Sequence, residues 1–78
     1  MLVKVKSLTG RTFEFDVDET NKVGSLKQLI ETKIGVPTVQ QKLLFNGRPM
    51  NDEKNFKEQN VTAGSIIHVV IALRGGYN

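Results

Sequence analysis

Few side chains in this sequence could carry out chemistry. Among its 78 residues there is one histidine, His68, and no cysteine. Cysteine nucleophiles, disulfides and zinc–thiolate sites are therefore excluded. A lone histidine is no catalytic constellation, because nothing orients a Ser/His/Asp set around it, and the acidic residues lack the spacing of a calcium loop. We expect no catalytic residue, no metal site and no cofactor, and we place His68 at the rim of a binding surface, where its charge would make binding mildly pH-sensitive.

The second chemical feature is a pair of glycines in "LRGGYN", which runs from Leu73 to Asn78. Gly75 and Gly76 cannot cap a helix, because the residues before them are β-formers. They cannot form a hairpin turn either, because no returning strand comes after them. Turn or cap geometry therefore does not explain the pair, and the segment needs a different role.

The elements that position these residues begin with a hairpin. In "MLVKVKSLTGRTFEFDVDE", apolar and charged residues alternate on both sides of "SLTG". This period of two is typical of paired strands with one buried face. Gly10 supplies the positive φ that the turn needs.

A helix is predicted over residues 21–34, because apolar residues recur there at three- and four-residue spacing. These residues are Val23, Leu26, Ile30 and Ile34. Thr20 or Asn21 is expected to cap the start, and Gly35 followed by Pro37 to end the helix.

Three further strands are predicted after the helix. "QQKLLFNGRPM" is typical of a strand, an Asn-Gly turn and a short return. A polar connection pinned at Phe56 and Val61 comes next, and "SIIHVVIAL" is the last strand. The order β-β-α-β-β-β predicts one α+β domain in which a sheet packs on one helix.

The last strand is apolar on both of its faces. If Ile67 and Val69 face the helix, then the alternate residues point outward, where a half-solvated sheet should carry polar side chains. The outward or turn residues in this group are Leu8, Leu44, Ile66, His68, Val70 and Ala72. Since 78 residues leave no segment for a second layer, the cluster indicates a surface that binds a partner.

Charge and hydropathy exclude other classes of partner. The eleven basic residues are spread along the chain among eight acidic ones, whereas nucleic-acid binders cluster basic residues and interleave aromatic ones. The N-terminus has no signal-peptide h-region, and no apolar run approaches the roughly 20 residues of a membrane span. We expect a monomer in the cytoplasm and nucleus, with no nucleic-acid or membrane partner.

Three stretches carry a resemblance to a known family: "SLTGRT", "GVPTVQQKLLFNGRPMNDEK" and "IIHVVIALRGG". With their spacing, they closely resemble ubiquitin without a gap from Met1 to Gly76. Within the ubiquitin family the chain is most similar to the neddylation modifiers (the Nedd/Rub type), through "MNDEK" and "ALRGG" above all. The resemblance implies a ubiquitin-like β-grasp with a mixed sheet on one helix. It also implies a domain over 1–72, a conjugation tail over 73–76 and a propeptide over 77–78.

The same resemblance implies a function for the glycine pair. In this family a C-terminal hydrolase removes the residues after Gly76, here Tyr77 and Asn78. An activating enzyme then adenylates the Gly76 carboxylate with ATP and forms a thioester. A conjugating enzyme and a ligase transfer it to a substrate lysine, and a deconjugating protease reverses the step. For the Nedd/Rub type the principal substrates are cullins, whose ubiquitin ligase activity the modification raises. Gly75 and Gly76 suit a narrow channel, and Arg74 suits an acidic groove.

The resemblance also implies roles for individual residues. Ala72 stands where ubiquitin has an arginine, and it is the position by which the activating enzyme rejects ubiquitin. The recognition patch of the family matches Leu8, Leu44, His68 and Val70. A second apolar patch matches Val36, Ile71 and Leu73. Gln40 matches a glutamine that some bacterial effectors deamidate. The lysines that remain for chain formation are Lys6, Lys27 and Lys33.

Departures from ubiquitin leave alternatives open. Arg48, Arg11 and Ala63 replace three lysines that ubiquitin uses for chains. A divergent ubiquitin or another ubiquitin-like modifier is the first alternative, to be separated by the enzyme that charges the chain. A β-grasp sulfur carrier, which forms a thiocarboxylate at the same glycines, is the second. The match to the recognition patch argues against a sulfur carrier.

Overall fold

Five strands and one α-helix make up residues 1–72, the part of the chain that the computed structural model describes. The elements are β1 (Leu2–Ser7), β2 (Thr12–Asp16), α1 (Val23–Ile34), β3 (Gln41–Phe45), β4 (Arg48–Pro49) and β5 (Ile66–Ile71). Two short 3-10 helices, Thr38–Gln40 and Lys57–Gln59, lie before β3 and before β5. The predicted element order is confirmed, and the 3-10 helices were not predicted.

The five strands form one sheet in the order β2-β1-β5-β3-β4. β1 and β5 are parallel neighbours at its centre, and the other pairs are antiparallel. The first and last strands of the chain therefore pair with each other, which carries the end of β5 to the middle of the sheet. The α+β class and the mixed sheet on one helix are confirmed.

The core lies between the inner face of the sheet and α1. Alternate residues of β1 and β5 face it, as the period of two predicts, and so does the apolar side of the helix. Its fully buried members include Val3, Val5, Val23, Leu26, Ile30, Leu43, Phe56, Ile67 and Val69. Such burial is the main stabilising contribution in a chain this small.

The start of α1 differs from the prediction. The helix begins at Val23, its N-cap is Lys22, and no side chain caps it. Thr20 and Asn21 do not cap the helix, because their side chains bond to Asp18 instead. Thr20 Oγ1 donates to the Asp18 carboxylate at 2.6 Å, and Asn21 Oδ1 accepts from the Asp18 N–H at 3.1 Å.

Backbone carbonyls of the connection between β4 and β5 take the place of a side-chain cap. The N–H of Val23 donates to the carbonyl of Lys54 at 3.0 Å, and that of Gly24 to the carbonyl of Asp52 at 3.1 Å. Two of the four N–H groups that a helix start leaves unpaired are satisfied in this way. A tertiary contact thus replaces the local cap that the sequence favoured.

The end of α1 agrees with the prediction. Gly35 has a left-handed backbone conformation with φ of 76°, and its N–H donates to the carbonyl of Glu31 at 2.8 Å. The predicted anchors of the later connection are confirmed too, since Phe56 and Val61 are both buried.

No helix in the described residues has both the length and the apolar character to cross a membrane.

Candidate functional site: the outer face of the sheet and the end of β5

The predicted recognition patch lies across three strands on the outer face of the sheet. His68 on β5 is directly opposite Leu44 on β3 and Lys6 on β1. Val70, two residues further along β5, points the same way and lies opposite Lys42. The sheet register therefore brings three of the four predicted patch residues together, as the alternation along β5 predicted.

The exposure of these residues suits a docking surface. Leu8, in the turn between β1 and β2, is 80% exposed. His68 is exposed, and Leu44 and Val70 are half-buried. Covering large exposed apolar side chains with a partner lowers the free energy and so favours binding. We call this set, Leu8, Leu44, His68 and Val70, the outer patch.

Basic side chains flank the outer patch. Lys6 and Lys42 lie opposite its members on the neighbouring strands, and both are exposed. Neither forms an ion pair with another described residue. The patch therefore fits a partner that offers apolar side chains with carboxylates beside them.

The second predicted patch lies partly within the described residues. Val36 and Ile71 are each half-buried, while Leu73 lies outside residues 1–72. Near Ile71 is a mainly apolar pocket of about 200 Å³, which sequence reasoning missed. Its apolar lining includes Leu8, Phe13, Ile34, Val69 and Ile71. The available signal was Ile34, an apolar residue at the very end of the helix.

The base of the predicted tail is held at Ala72. Its N–H donates to the carbonyl of Gln40 at 2.7 Å, and both residues are half-buried. This bond continues the β3–β5 pairing by one residue beyond Ile71. The tail residues themselves lie outside the described part of the chain, so their roles stay predictions: Leu73, Arg74, Gly75, Gly76 and Tyr77.

The three lysines predicted as chain acceptors differ in their surroundings. Lys6 and Lys33 are exposed. Lys27 keeps only 15% of its side chain exposed, and its Nζ lies 2.9 Å from the Asp52 carboxylate. A lysine must leave such a pair and lose its proton before it can attack a thioester. The geometry therefore favours Lys6 and Lys33 over Lys27, and chain formation at all three stays a prediction.

One carboxylate in the described residues is clearly perturbed. The side-chain hydroxyl of Thr20, and then its backbone N–H, donate to Asp18 and lower the pKa of that carboxyl below its usual value. Asp18 lies in the connection before α1, away from the outer patch. No cluster of three metal-ligating side chains occurs among residues 1–72.

Comparisons with known proteins agree with this geometry. A family model described as "Ubiquitin family" matches residues 3–74. The chain belongs to the ubiquitin family. It is 47% identical to Ubiquitin-like protein NEDD8 of Dictyostelium discoideum over 76 residues, which cover 97% of this chain and 99% of that protein. It is 46% identical to Ubiquitin-like protein 1 of Schizosaccharomyces pombe, with 97% of each chain covered.

A third relative lies in the same branch. NEDD8-like protein RUB1 of Saccharomyces cerevisiae is 38% identical over 76 residues, covering 97% of this chain and 99% of that protein. The resemblance to the Nedd/Rub type and the ubiquitin-like β-grasp are thereby confirmed. The chain is a ubiquitin-like protein modifier with relatives of the neddylation type.

Proposed function

We propose that this chain is conjugated to other proteins through the carboxylate of Gly76, as a neddylation-type modifier. The observation that carries the proposal is its similarity to NEDD8-like proteins over 97% of its length, together with Ala72 immediately before Leu73, Arg74 and the two glycines. The bond from Ala72 to Gln40 supports it further, because the residues after Ala72 continue from a fixed point at the end of β5.

The chemistry needs no catalytic group in the modifier. A hydrolase cleaves the bond after Gly76 and frees its carboxylate, removing Tyr77 and Asn78. The carboxylate displaces pyrophosphate from ATP to give an acyl adenylate, and a cysteine thiol of the activating enzyme displaces AMP. After transfer to a conjugating enzyme, a lysine amine attacks the thioester and releases the thiol. Cullins are the substrate class that we propose. The consequence of their modification is a higher ubiquitin ligase activity.

The two surfaces take different parts in this proposal. Ala72 lets the neddylation-type activating enzyme accept the chain, because an arginine there would bury an unpaired charge in its pocket. The outer patch binds later partners, among them the ligase and the deconjugating protease. The second patch, Val36, Ile71 and Leu73, contacts the conjugation enzymes. Gln40 remains a proposed target of deamidation. The cytoplasm and the nucleus are the proposed locations of the protein.

A thioester-charging assay tests the proposal. The chain ending at Gly76 is incubated with ATP and either the neddylation or the ubiquitin activating enzyme, and a reductant-sensitive adduct is sought on a non-reducing gel. We expect charging by the neddylation enzyme alone. The matched variant Ala72→Arg should lose that charging and gain charging by the ubiquitin enzyme. Charging of the unmodified sequence by the ubiquitin enzyme alone would place it in the other branch, and charging by neither would reject conjugation.

A further inference from the structure

Gln41 is a polar side chain inside an otherwise apolar core. It is 4% exposed, and among residues 1–72 it is the one buried side chain that is polar. Its Nε2 donates to the carbonyl of Lys27 in α1 and to the carbonyl of Val36, each at 2.9 Å. Its Oε1 is buried and accepts no hydrogen bond from the described atoms.

The unpaired Oε1 makes this residue a costly choice for stability alone. A buried polar atom without a partner loses its hydration and gains nothing in return, whereas an apolar side chain of the same shape would avoid that loss. The amide also cannot simply turn over, because Oε1 would then face two carbonyl oxygens. The two donated hydrogen bonds must therefore account for a glutamine at this position.

Both bonds hold the segment from Val36 to Gln40 in place. The Val36 carbonyl has no other described hydrogen-bond donor, whereas the carbonyl of Lys27 also lies within the helical bonding pattern. Without Nε2, the Val36 carbonyl would lose the one donor that the described residues offer it, in a part-buried position, and we expect the segment to shift so that water can pair with it. Gln41 thus ties the loop after α1 to the helix from inside.

The same segment holds the end of β5. Gln41 pairs with Ile71 through the backbone, and the carbonyl of Gln40 accepts from the N–H of Ala72 at 2.7 Å. One buried amide therefore links α1, the loop that carries Val36 and the last described residue before the tail. A shift of this loop would move Val36 and loosen Ala72 together.

We propose that Gln41 is a positioning residue for conjugation: it fixes Ala72 at the end of β5, from which the sequence continues into the conjugation tail, and with it the place of Val36. The proposal rests on the proposed function, since the activating enzyme is what reads this arrangement. Because Gln41 is buried, it acts through the backbone that it holds rather than by contact with the enzyme. Its loss should weaken recognition of the modifier and leave the adenylation step at saturation unchanged.

The test replaces Gln41 by leucine, which is apolar and of similar size, and compares it with Val61→Ala. Val61 is buried in the connection that holds the other end of α1, so its truncation should lower global stability without touching the tail base. Amide hydrogen exchange on the full-length chain and charging kinetics on the chain ending at Gly76 are measured for both variants.

In Gln41→Leu, we expect the Ala72 amide to exchange about tenfold faster while the amide of Ile67 in mid-β5 is unchanged. KM for charging should rise about threefold to tenfold at constant kcat. Val61→Ala should instead speed exchange across the core and leave KM unchanged. Unchanged Ala72 exchange in Gln41→Leu, or equal KM changes in both variants, would overturn the proposal. If no activating enzyme charges the parent chain, the proposed function fails, and the exchange result still decides whether Gln41 holds the tail base.

Discussion

The two ends of helix α1 are held in different ways. At the N-terminal end, backbone carbonyls of the connection after β4 cap the helix. That connection is braced by Gln59, whose side chain makes four hydrogen bonds of 2.8 to 3.4 Å to the backbone of Asn51, Lys54 and Asn55. Beyond the C-terminal end, one buried amide, that of Gln41, ties the following loop at Val36 to the carbonyl of Lys27 in the first half of the helix.

The number of hydrogen bonds does not rank these two ends by importance. The partners of Gln59 lie largely at the surface, so water can replace the lost bonds at small cost. The side chain of Gln41 is 4% exposed and its two hydrogen bonds are part-buried, so water replaces them less readily than it replaces the bonds of Gln59. The connection at the first end is held by several polar contacts, whereas the loop after the second end is tied to the helix by one side chain. That loop ends at Gln40, whose carbonyl accepts a hydrogen bond from Ala72.

The largest effect should come from removing the apolar anchor of the connection at the first end. Phe56 is fully buried, and its backbone N–H bonds to the carbonyl of Asn21 at 3.3 Å. We expect Phe56→Ala to lower the free energy of unfolding by about 3–5 kcal/mol, because it leaves a cavity under the connection. Urea denaturation measures this, with Phe56→Leu as the milder control. A loss below about 1 kcal/mol would show that polar contacts alone hold this end.

A smaller effect is expected from the polar brace itself. Gln59→Leu removes all four hydrogen bonds and should cost only about 1 kcal/mol, because the exposed backbone groups turn to water. Gln59→Glu is the matched control, since it keeps the acceptor for the Asn51 N–H but loses the Nε2 donors. If Gln59→Leu costs as much as Phe56→Ala, the contrast between an exposed and a buried end of the helix is wrong.

Much of the fold could be predicted from local sequence patterns. The period of two in β1 and β5 and the helical spacing of Val23, Leu26 and Ile30 predicted which side chains are buried, because burial selects side chains by face. The helix start was misplaced because its cap comes from residues about thirty positions later in the chain. No local pattern in a sequence reports a tertiary hydrogen bond of that kind.

The candidate site was predictable to the same degree. The outer patch could be foreseen because apolar residues stood where β5 should be polar, and the register then brought Leu44 beside His68. Gln41 could not be foreseen, since a glutamine at the start of a strand is unremarkable until its burial is known. The same is true of Lys27, whose pairing with Asp52 joins residues 25 positions apart.

A substitution at Gly24 tests the N-terminal end of α1 by adding a side chain there, whereas the earlier substitutions remove contacts. A Cβ added there would lie 3.4 Å from the carbonyl oxygen of Asp52, which is close but tolerable. We expect Gly24→Ala to stabilise the fold by about 0.5 kcal/mol, less than the full gain in helix propensity of about 1 kcal/mol. Thermal unfolding tests this. Gly10→Ala is the control, because φ of 87° makes a side chain there unfavourable, and it should destabilise. A destabilising Gly24→Ala would mean that the close approach of Asp52 requires glycine.

The smallest effect concerns the residues that were expected to cap the helix and instead bond to Asp18. The Thr20 hydroxyl is the largest of the causes that lower the pKa of the Asp18 carboxyl, so Thr20→Val should raise that pKa toward its usual range. A lowered folded-state pKa favours the ionised form. The stability that the ionised Asp18 carboxyl contributes is therefore present above the unfolded carboxyl pKa of about 3.9 and is lost as pH falls through the lower folded-state pKa. In Thr20→Val this contribution should be smaller and its loss should be complete at a higher pH, and an NMR titration of the Asp18 side chain measures the change in pKa directly. Thr32→Val, which removes a hydroxyl that bonds only within α1, should leave the Asp18 titration unchanged. An unchanged Asp18 pKa in Thr20→Val would show that the Thr20 hydroxyl is not what lowers it.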